Sequence, residues 1–206
     1  MGDVQLRGRA GPFAGRRFPA LTGCDEVGRG ALAGPVVVAA VWFDPAALPA
    51  GLLAALDDSK RLPAGRRAAL AVALADHAGF ALAARSARAI DGLGIRRATL
   101  AAMASALARL GRAGPLAVDG RDMPPGWRGR AVVGGDGQVP QIAAASIIAK
   151  VTRDRLMACL GRRYPAYLWE RNAGYGTAAH RAALASLGAT AHHRRSFSPV
   201  AAIVSG

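Results

Sequence analysis

Four acidic residues sit where short apolar runs meet glycine or a loop: Asp25 and Glu26 in GCDEVGRG, Asp119 in LAVDG, and Asp136 in GGDG. Carboxylates held close together repel, and one is driven to keep its proton unless a cation offsets the charge. Hard divalent cations take oxygen ligands, and magnesium in particular is held by a few carboxylates plus substrate phosphate. In a chain with 27 Lys+Arg against 13 Asp+Glu, acids gathered in this way point to a bound metal. Each acid taken alone has a plainer reading as a helix cap, a turn former or the ion-pair partner of an arginine. Spacing by itself does not bring the four together.

For the acids to meet, the elements carrying them must end at one crevice of a sheet. Residues 21–27 read as a short strand and 35–43 as a β-branched, buried one, with the glycine-rich turn between them reversing the chain. A short helix follows at 52–56, a longer one runs from Pro63 to about residue 77, and a third strand covers 80–86. Ile95, Leu100, Met103, Leu107 and Leu110 keep one helical face apolar, and Gly111 and Gly114 stop that helix. Residues 116–118 and 131–133 are short strands ending in the acids Asp119 and Asp136. Pro140 opens a long helix to about residue 160, and another spans 178–187. Strands and helices in this mixed order predict an α/β or α+β layer domain. With no repeat or linker, residues 19–206 read as a single domain, preceded by a disordered, basic arm at 1–18 that is rich in Gly, Arg and Pro. Neighbouring residues of a strand face opposite ways. Asp25 and Glu26 therefore share a site only if the strand ends or bulges between them, which Gly28 and Gly30 allow.

Gly28-Arg29-Gly30-Ala31-Leu32-Ala33 fits a permissive dinucleotide pattern, but that fingerprint needs a helix next, and PVVVAAVWF reads as a strand. No G-K-[ST] phosphate loop is present. The glycines either form the turn alone or let backbone amides approach a ligand closely.

The formal charge of +14 favours a polyanionic partner, nucleic acid ahead of an anionic membrane surface, although an arginine-rich coding bias gives the same number. Lys60 and Lys150 are the only lysines. The two cysteines, Cys24 and Cys159, have no metal-ligand spacing, and a reducing cytoplasm is the default reading; Cys24 is a small apolar strand residue. The N-terminus has no signal-peptide apolar core, and the run 31–43 contains Pro35 and falls short of the roughly 20 residues a membrane helix needs. A soluble, cytoplasmic protein is expected.

Several separated motifs together resemble the ribonuclease HII (type 2 ribonuclease H) family. They are GCDEVGRGALAGPVVVAAV at the first two strands, DDSKRL at 57–62, VDG at 118–120, GDGQVPQIAAASIIAKVTRDR from Gly135, NAGYGTAAH at 172–180, and HHRRSFSPV near the C-terminus. They occur in the family's order between about residues 20 and 200. The resemblance implies an RNase H-like fold, a central mixed β-sheet flanked by helices with a helical C-terminal portion. It implies an endoribonuclease acting on the RNA strand of RNA/DNA hybrids, and also nicking duplex DNA 5′ of embedded ribonucleotides, to leave 3′-OH and 5′-phosphate ends. By position, Asp25, Glu26, Asp119 and Asp136 would hold two Mg²⁺ or Mn²⁺ ions. No nucleophilic side chain is then required. The backbone of Gly28, Arg29 and Gly30 would read the ribose 2′-hydroxyl, Arg29 adding a phosphate or groove contact, and Tyr175 would pack on the sugar; a plain core or surface tyrosine is the alternative.

Ser146, Lys150 and Arg153 fall at i, i+4 and i+7 on one helical face, suited to clamp phosphates together with Lys60, or simply solvated. Asp154 reads as an ion-pair partner of Lys150 or Arg153. His192, His193, Arg194 and Arg195 read as a backbone-contact patch or a solvated turn. The chain departs from the family at Gly135, Gln141 and Ala173, where Lys, Glu and Lys are frequent, each change removing charge near the expected site. A monomer acting on RNA/DNA hybrid and ribonucleotide-containing duplex DNA is expected. The alternatives are a non-catalytic basic protein that binds hybrid duplex, and another RNase H-fold nuclease such as an exonuclease or a type 3 ribonuclease H.

Overall fold

The computed structural model describes residues 11–204. Its centre is a five-stranded sheet in the order β3-β2-β1-β4-β5, formed by β1 (Leu21–Val27), β2 (Val36–Phe43), β3 (Gly79–Arg85), β4 (Leu116–Asp119) and β5 (Arg130–Val132). β1 pairs antiparallel with β2, and β2 with β3. β1 pairs parallel with β4, and β4 with β5. The carboxyl ends of β1, β4 and β5 therefore open on the same edge, which is the edge carrying the acids.

Helices cover both faces. Short α1 (Ala50–Ala55), α2 (Ala64–His77) and the long α5 (Pro140–Arg163) bury one face, with Val41, Phe43, Leu70, Leu74 and Ile147 at its centre. α3 (Ala87–Leu93) and α4 (Ile95–Leu110) lie towards the other, where Cys24 packs with Val38, Met103, Leu107 and Val118 as a small apolar residue. The sequence explains the boundaries. Val36, Val37, Val38 and Val41 suit a pleated, buried strand. Pro140 opens α5, where its missing N–H costs nothing. Gly111 ends α4 in the left-handed region at φ 65°. The C-terminal part is helical as expected, with α6 (Trp169–Asn172), α7 (Ala178–Leu187) and α8 (Ser198–Val204).

α5 lies directly on β1. An added Cβ at Gly23 would stand 2.2 Å from the Gln141 carbonyl carbon, so only glycine admits the helix there. From that contact α5 continues past Asp25 with small residues, Ala143, Ala144, Ala145 and Ser146, all buried.

Three expectations are corrected. β1 runs in unbroken register with β2 as far as Val27, so no bulge separates Asp25 from Glu26. Asp136 lies not at a strand end but in a 3-10 turn, Gly135–Gly137, beyond β5. The third concerns the arm drawn at residues 1–18. Residues 1–10 lie outside the described residues, but within 11–18 the Phe13 ring is fully buried in the α1/α2/α5 layer. It meets Phe18 edge-on at 5.5 Å, and Gly11 donates its N–H to Ala54 O at 2.6 Å.

If this segment is part of the core, Phe13→Ala loses about 3–5 kcal/mol of unfolding free energy, as for other buried aromatics. Urea denaturation measures it, and an unchanged midpoint would return residues 11–18 to a loose arm.

Candidate active site

The carboxyl ends of β1 and β4 form one wall of an open cleft of 460 Å³. Asp25, Glu26 and Asp119 line it, together with Gly28, Arg29, Gly30, Lys60, Ser146, Lys150 and Tyr175. Of the four acids expected to hold metal, only Asp136 does not line this cleft. It stands at the rim, joined to the cleft through Lys60, whose Nζ is 3.7 Å from its Oδ2. The adjacent Gly135 N–H donates to Asp119 Oδ1 at 2.7 Å, which ties the 3-10 turn to the end of β4. A side chain at Gly135 would collide with Ile142 of α5.

Asp25 and Glu26 reach the cleft from the two faces of β1. Asp25 points to the α5 side, where it lines the cleft with Ser146, and its Oδ1 accepts the Glu26 N–H at 2.7 Å. Glu26 takes the other side, where it also borders a depression with Met103, Asp119 and Arg96, and accepts from Arg29 at 3.3 Å. Their proximity at the end of the sheet, not a strand break, lets both serve one cleft.

The electrostatics are those of an undercompensated cluster. Burial, then the charges of Glu26 and Asp119, push the Asp25 carboxyl well above its ordinary range. Glu26 is raised by burial despite Arg29 beside it. Asp136 is raised by burial and by Asp58, with Lys60 opposing. Among the described residues no three His, Cys, Asp or Glu side chains are drawn tightly enough together to hold a metal ion unaided. The donor set is entirely oxygen and short of positive charge, which suits a hard cation completed by substrate phosphate.

The cationic side of the cleft is partly committed. Lys150 Nζ binds Asp154 Oδ1 at 2.8 Å, and Arg67 reaches the same carboxylate at 3.8 Å. Ser146 shares a 2.7 Å hydroxyl contact with Ser59, so the DSK loop is fastened to α5. Lys60 remains largely exposed. Tyr175 sits at the far wall, with Arg153 Cζ 5.4 Å from its ring centroid.

Sequence reasoning misplaced several residues. Arg153 does not face phosphate or solvent; it is fully buried and donates to the carbonyls of Pro35, Ala173 and Ala33. Arg194 is buried too, and burial together with nearby Arg153 pulls its pKa down to about 10. His193 is likewise buried, so the middle of HHRR is not solvated, while His192 is half-buried and Arg195 exposed. His193 and His180 meet at 3.1 Å between Nε2 atoms. Trp169 Nε1–H donates to His180 Nε2 at 3.0 Å, and the Thr190 N–H donates to His193 Nδ1 at 3.0 Å. These donors fix both rings as neutral: His193 Nε2–H points to His180, whose Nδ1–H goes to Tyr175 O at 2.9 Å. The clearest prior signal was the clustering of three of the four histidines after residue 175. Gln141, one of the departures, lies fully buried at the other end of β1 and donates to Pro19 O and Phe43 O, remote from the acids. Ala173 occupies a left-handed conformation, φ 49°, with its carbonyl held by Arg153.

A mixed sheet with acids at its parallel strand ends and a long helix laid along β1 is an arrangement of the ribonuclease H-like fold. Solved structures with the same fold include a PCNA:RNase HII complex from Archaeoglobus fulgidus, at TM-score 0.73 and 28% identity, covering 87% of this chain and 95% of that one. Another is ribonuclease H2 from Pyrococcus horikoshii, at TM-score 0.74 and 24% identity, covering 89% and 96%. The family model for ribonuclease HII matches residues 22–200. Ribonuclease HII of Rhodospirillum rubrum is 55% identical over 87% of this chain and 84% of its own, and that of Paramagnetospirillum magneticum 53% over 87% and 90%. The chain belongs to the ribonuclease HII family, whose activity is endonucleolytic hydrolysis of RNA in RNA/DNA hybrids.

Two outcomes follow from the charges. Because Asp25 has a folded pKa above its unfolded one, its contribution is lost as pH rises out of the ordinary carboxylate range, and above that range its burial among acids counts against the fold. Asp25→Asn in chelator should therefore melt higher, by the about 2–4 °C that ~1 kcal/mol gives a chain of this size. A variant melting lower would show that Asp25 is already compensated. His193 behaves oppositely: burial, then His180 and His192, hold it down to about 4. Between the ordinary histidine value and about 4, only the unfolded chain takes the proton, so stability is full above that window and falls as pH drops through it, by at most roughly 3 kcal/mol. Chemical denaturation across this range should show a flatter profile for His193→Gln than for the unsubstituted protein; parallel profiles would contradict the assignment.

Proposed function

We propose that this protein cleaves the phosphodiester 5′ of ribonucleotides, both in RNA/DNA hybrids and where a single one is embedded in duplex DNA, leaving 3′-OH and 5′-phosphate ends. The observation that carries the reading is the convergence of Asp25, Glu26 and Asp119 on a cleft whose opposite wall is the Gly28–Gly30 backbone and Tyr175. Asp25, Glu26, Asp119 and Asp136 are the residues that would hold two Mg²⁺ or Mn²⁺ ions; a solved RNase HIII with this fold was obtained in complex with Mn²⁺. When bound there, such ions would supply a Lewis acid for the scissile phosphate, activation of the attacking water and stabilisation of the leaving 3′-oxygen.

The chain's own residues do the rest. Lys60, exposed beside Asp136, neutralises phosphate at the rim. Lys150, anchored by Asp154, holds a fixed positive charge on the cleft floor. Ser146, fastened to Ser59 of the DSK loop, stands in the cleft with Asp25. Gly30 has nothing within 4 Å of the position a Cβ would take, so a sugar can approach its main chain. Gly28 is glycine for a different reason: it has φ +90°, and a Cβ would stand 2.0 Å from Arg153 Nε. Tyr175, partly exposed, offers its ring to that sugar. The protein acts as a monomer, a reading supported by apolar exposure scattered over separate elements; among the described residues no helix is long and apolar enough to cross a membrane.

The test is cleavage of end-labelled duplexes carrying either an RNA strand or one ribonucleotide, in Mg²⁺, in Mn²⁺ and in chelator. Both should be cut 5′ of the ribonucleotide, with chelator abolishing the reaction. Asp119→Asn should lower the rate at least as much as the roughly 100-fold that loss of an outer-shell partner causes. Tight binding without cleavage in either metal would support the non-catalytic hybrid-binding reading instead.

A further inference from the structure

Two arginines lie fully buried behind the glycine turn, and neither is within salt-bridge distance of a carboxylate among the described residues. Burying an uncompensated cation is costly unless its hydrogen bonds are all made. Here they are made to backbone carbonyls. Arg194 donates from Nη2 to Gly28 O at 2.6 Å, from Nη1 to Arg29 O at 2.8 Å, and from Nε and Nη2 to Gly34 O at 3.1 and 2.9 Å. Arg153 takes Pro35 O, Ala33 O and Ala173 O at 2.8, 3.1 and 2.8 Å. The Tyr175 turn is sewn to the same segment, since Leu32 and Ala33 both donate N–H groups to Gly174 O, at 2.8 and 3.2 Å.

The direction of these bonds matters. In a trans peptide the carbonyl and the following N–H point opposite ways, and the described chain has no cis bonds. With the Gly28 and Arg29 carbonyls turned inward to Arg194, the N–H groups of Arg29 and Gly30 are turned outward. Residues 29 and 30 are exposed, and among the described residues neither N–H has a protein acceptor. The outward pair is aimed at the cleft that also holds Asp25 and Tyr175.

We propose that Arg194 is a positioning residue for ribonucleotide recognition: its guanidinium fork sets the two peptide planes of the Gly28–Gly30 turn so that the amides of Arg29 and Gly30 meet the ribose 2′-oxygen. Arg153 fixes the other side of the pocket by joining the 33–35 segment to the backbone just before Tyr175. A lysine cannot replace Arg194 in this task, because a single ammonium point donor does not span three carbonyls set by a planar fork. The inference rests on the reading that this turn recognises the 2′-hydroxyl.

The experiment compares binding, in chelator so that nothing is cut, to a DNA duplex with one ribonucleotide and to the same duplex in all-DNA form. The unsubstituted protein should favour the ribonucleotide duplex. Arg194→Lys, which keeps the charge, should lose about tenfold of that preference, ~1.4 kcal/mol, while its affinity for the all-DNA duplex stays within about twofold. An unchanged preference, or an equal loss on both duplexes, overturns the inference and leaves the function reading standing. An unsubstituted protein with no preference overturns both. If Arg194→Lys does not fold, ¹⁵N-labelled unsubstituted protein serves: the ribonucleotide duplex should shift the Arg29 and Gly30 amides and Arg194 Nε–H beyond what the all-DNA duplex does. Identical shifts with the two duplexes overturn the inference.

Discussion

Gly23 has no side chain, and the backbone of α5 occupies the room one would take. That contact sets the helix against β1 at backbone distance and fixes its register. Ser146 then falls beside Asp25, Lys150 on the cleft floor, and Arg153 behind Gly28. A larger residue at position 23 would push the helix outward and move every one of these groups together. The alanines 143–145 continue the same close fit, buried without bulk where the sheet must lie near the helix.

The protein concentrates opposite kinds of electrostatic strain on the two sides of its β1–β2 turn. On one side carboxylates are buried among carboxylates, with Lys60, Arg29 and Lys150 too few or too committed to neutralise them. On the other, two guanidiniums are buried against carbonyl dipoles and the rings of Tyr175 and Phe197. The first arrangement leaves a deficit that cations and phosphate can fill. The second leaves no deficit, because every carbonyl used faces inward, and it converts a flexible glycine turn into a fixed surface of outward amides. An overall charge of +14 explains attraction to nucleic acid, but it is these local arrangements that allow chemistry at one bond.

Much of the site was legible because its residue types are improbable in their setting. Acids beside apolar strand ends stand out in an arginine-rich chain, and the parallel pairing of β1, β4 and β5 brings those ends to one edge. Proline at 140 and glycine at 111 marked helix ends through their own backbone preferences. What could not be read was anything decided by the backbone of a distant segment. Arg153 and Arg194 look like surface arginines because their partners are main-chain carbonyls, all but Ala173 more than a hundred residues away, which carry no sequence signature. The position of Asp136 depended on three nearby glycines whose conformations composition does not specify, and Phe13 was hidden by its Gly- and Arg-rich surroundings. The expected break between Asp25 and Glu26 failed for a geometric reason: at the end of a sheet, side chains from opposite faces can lean over the same edge.

The central claim is that the acids at the strand ends form a cation site completed by the nucleic acid. Anomalous scattering from crystals of the protein with Mn²⁺ and a duplex containing one non-hydrolysable ribonucleotide linkage tests it most directly. Manganese peaks are expected between Asp25, Glu26, Asp119 and Asp136, shared with the phosphate beside the ribonucleotide. Manganese bound elsewhere, with these carboxylates left to Lys60 and Arg29, would contradict it.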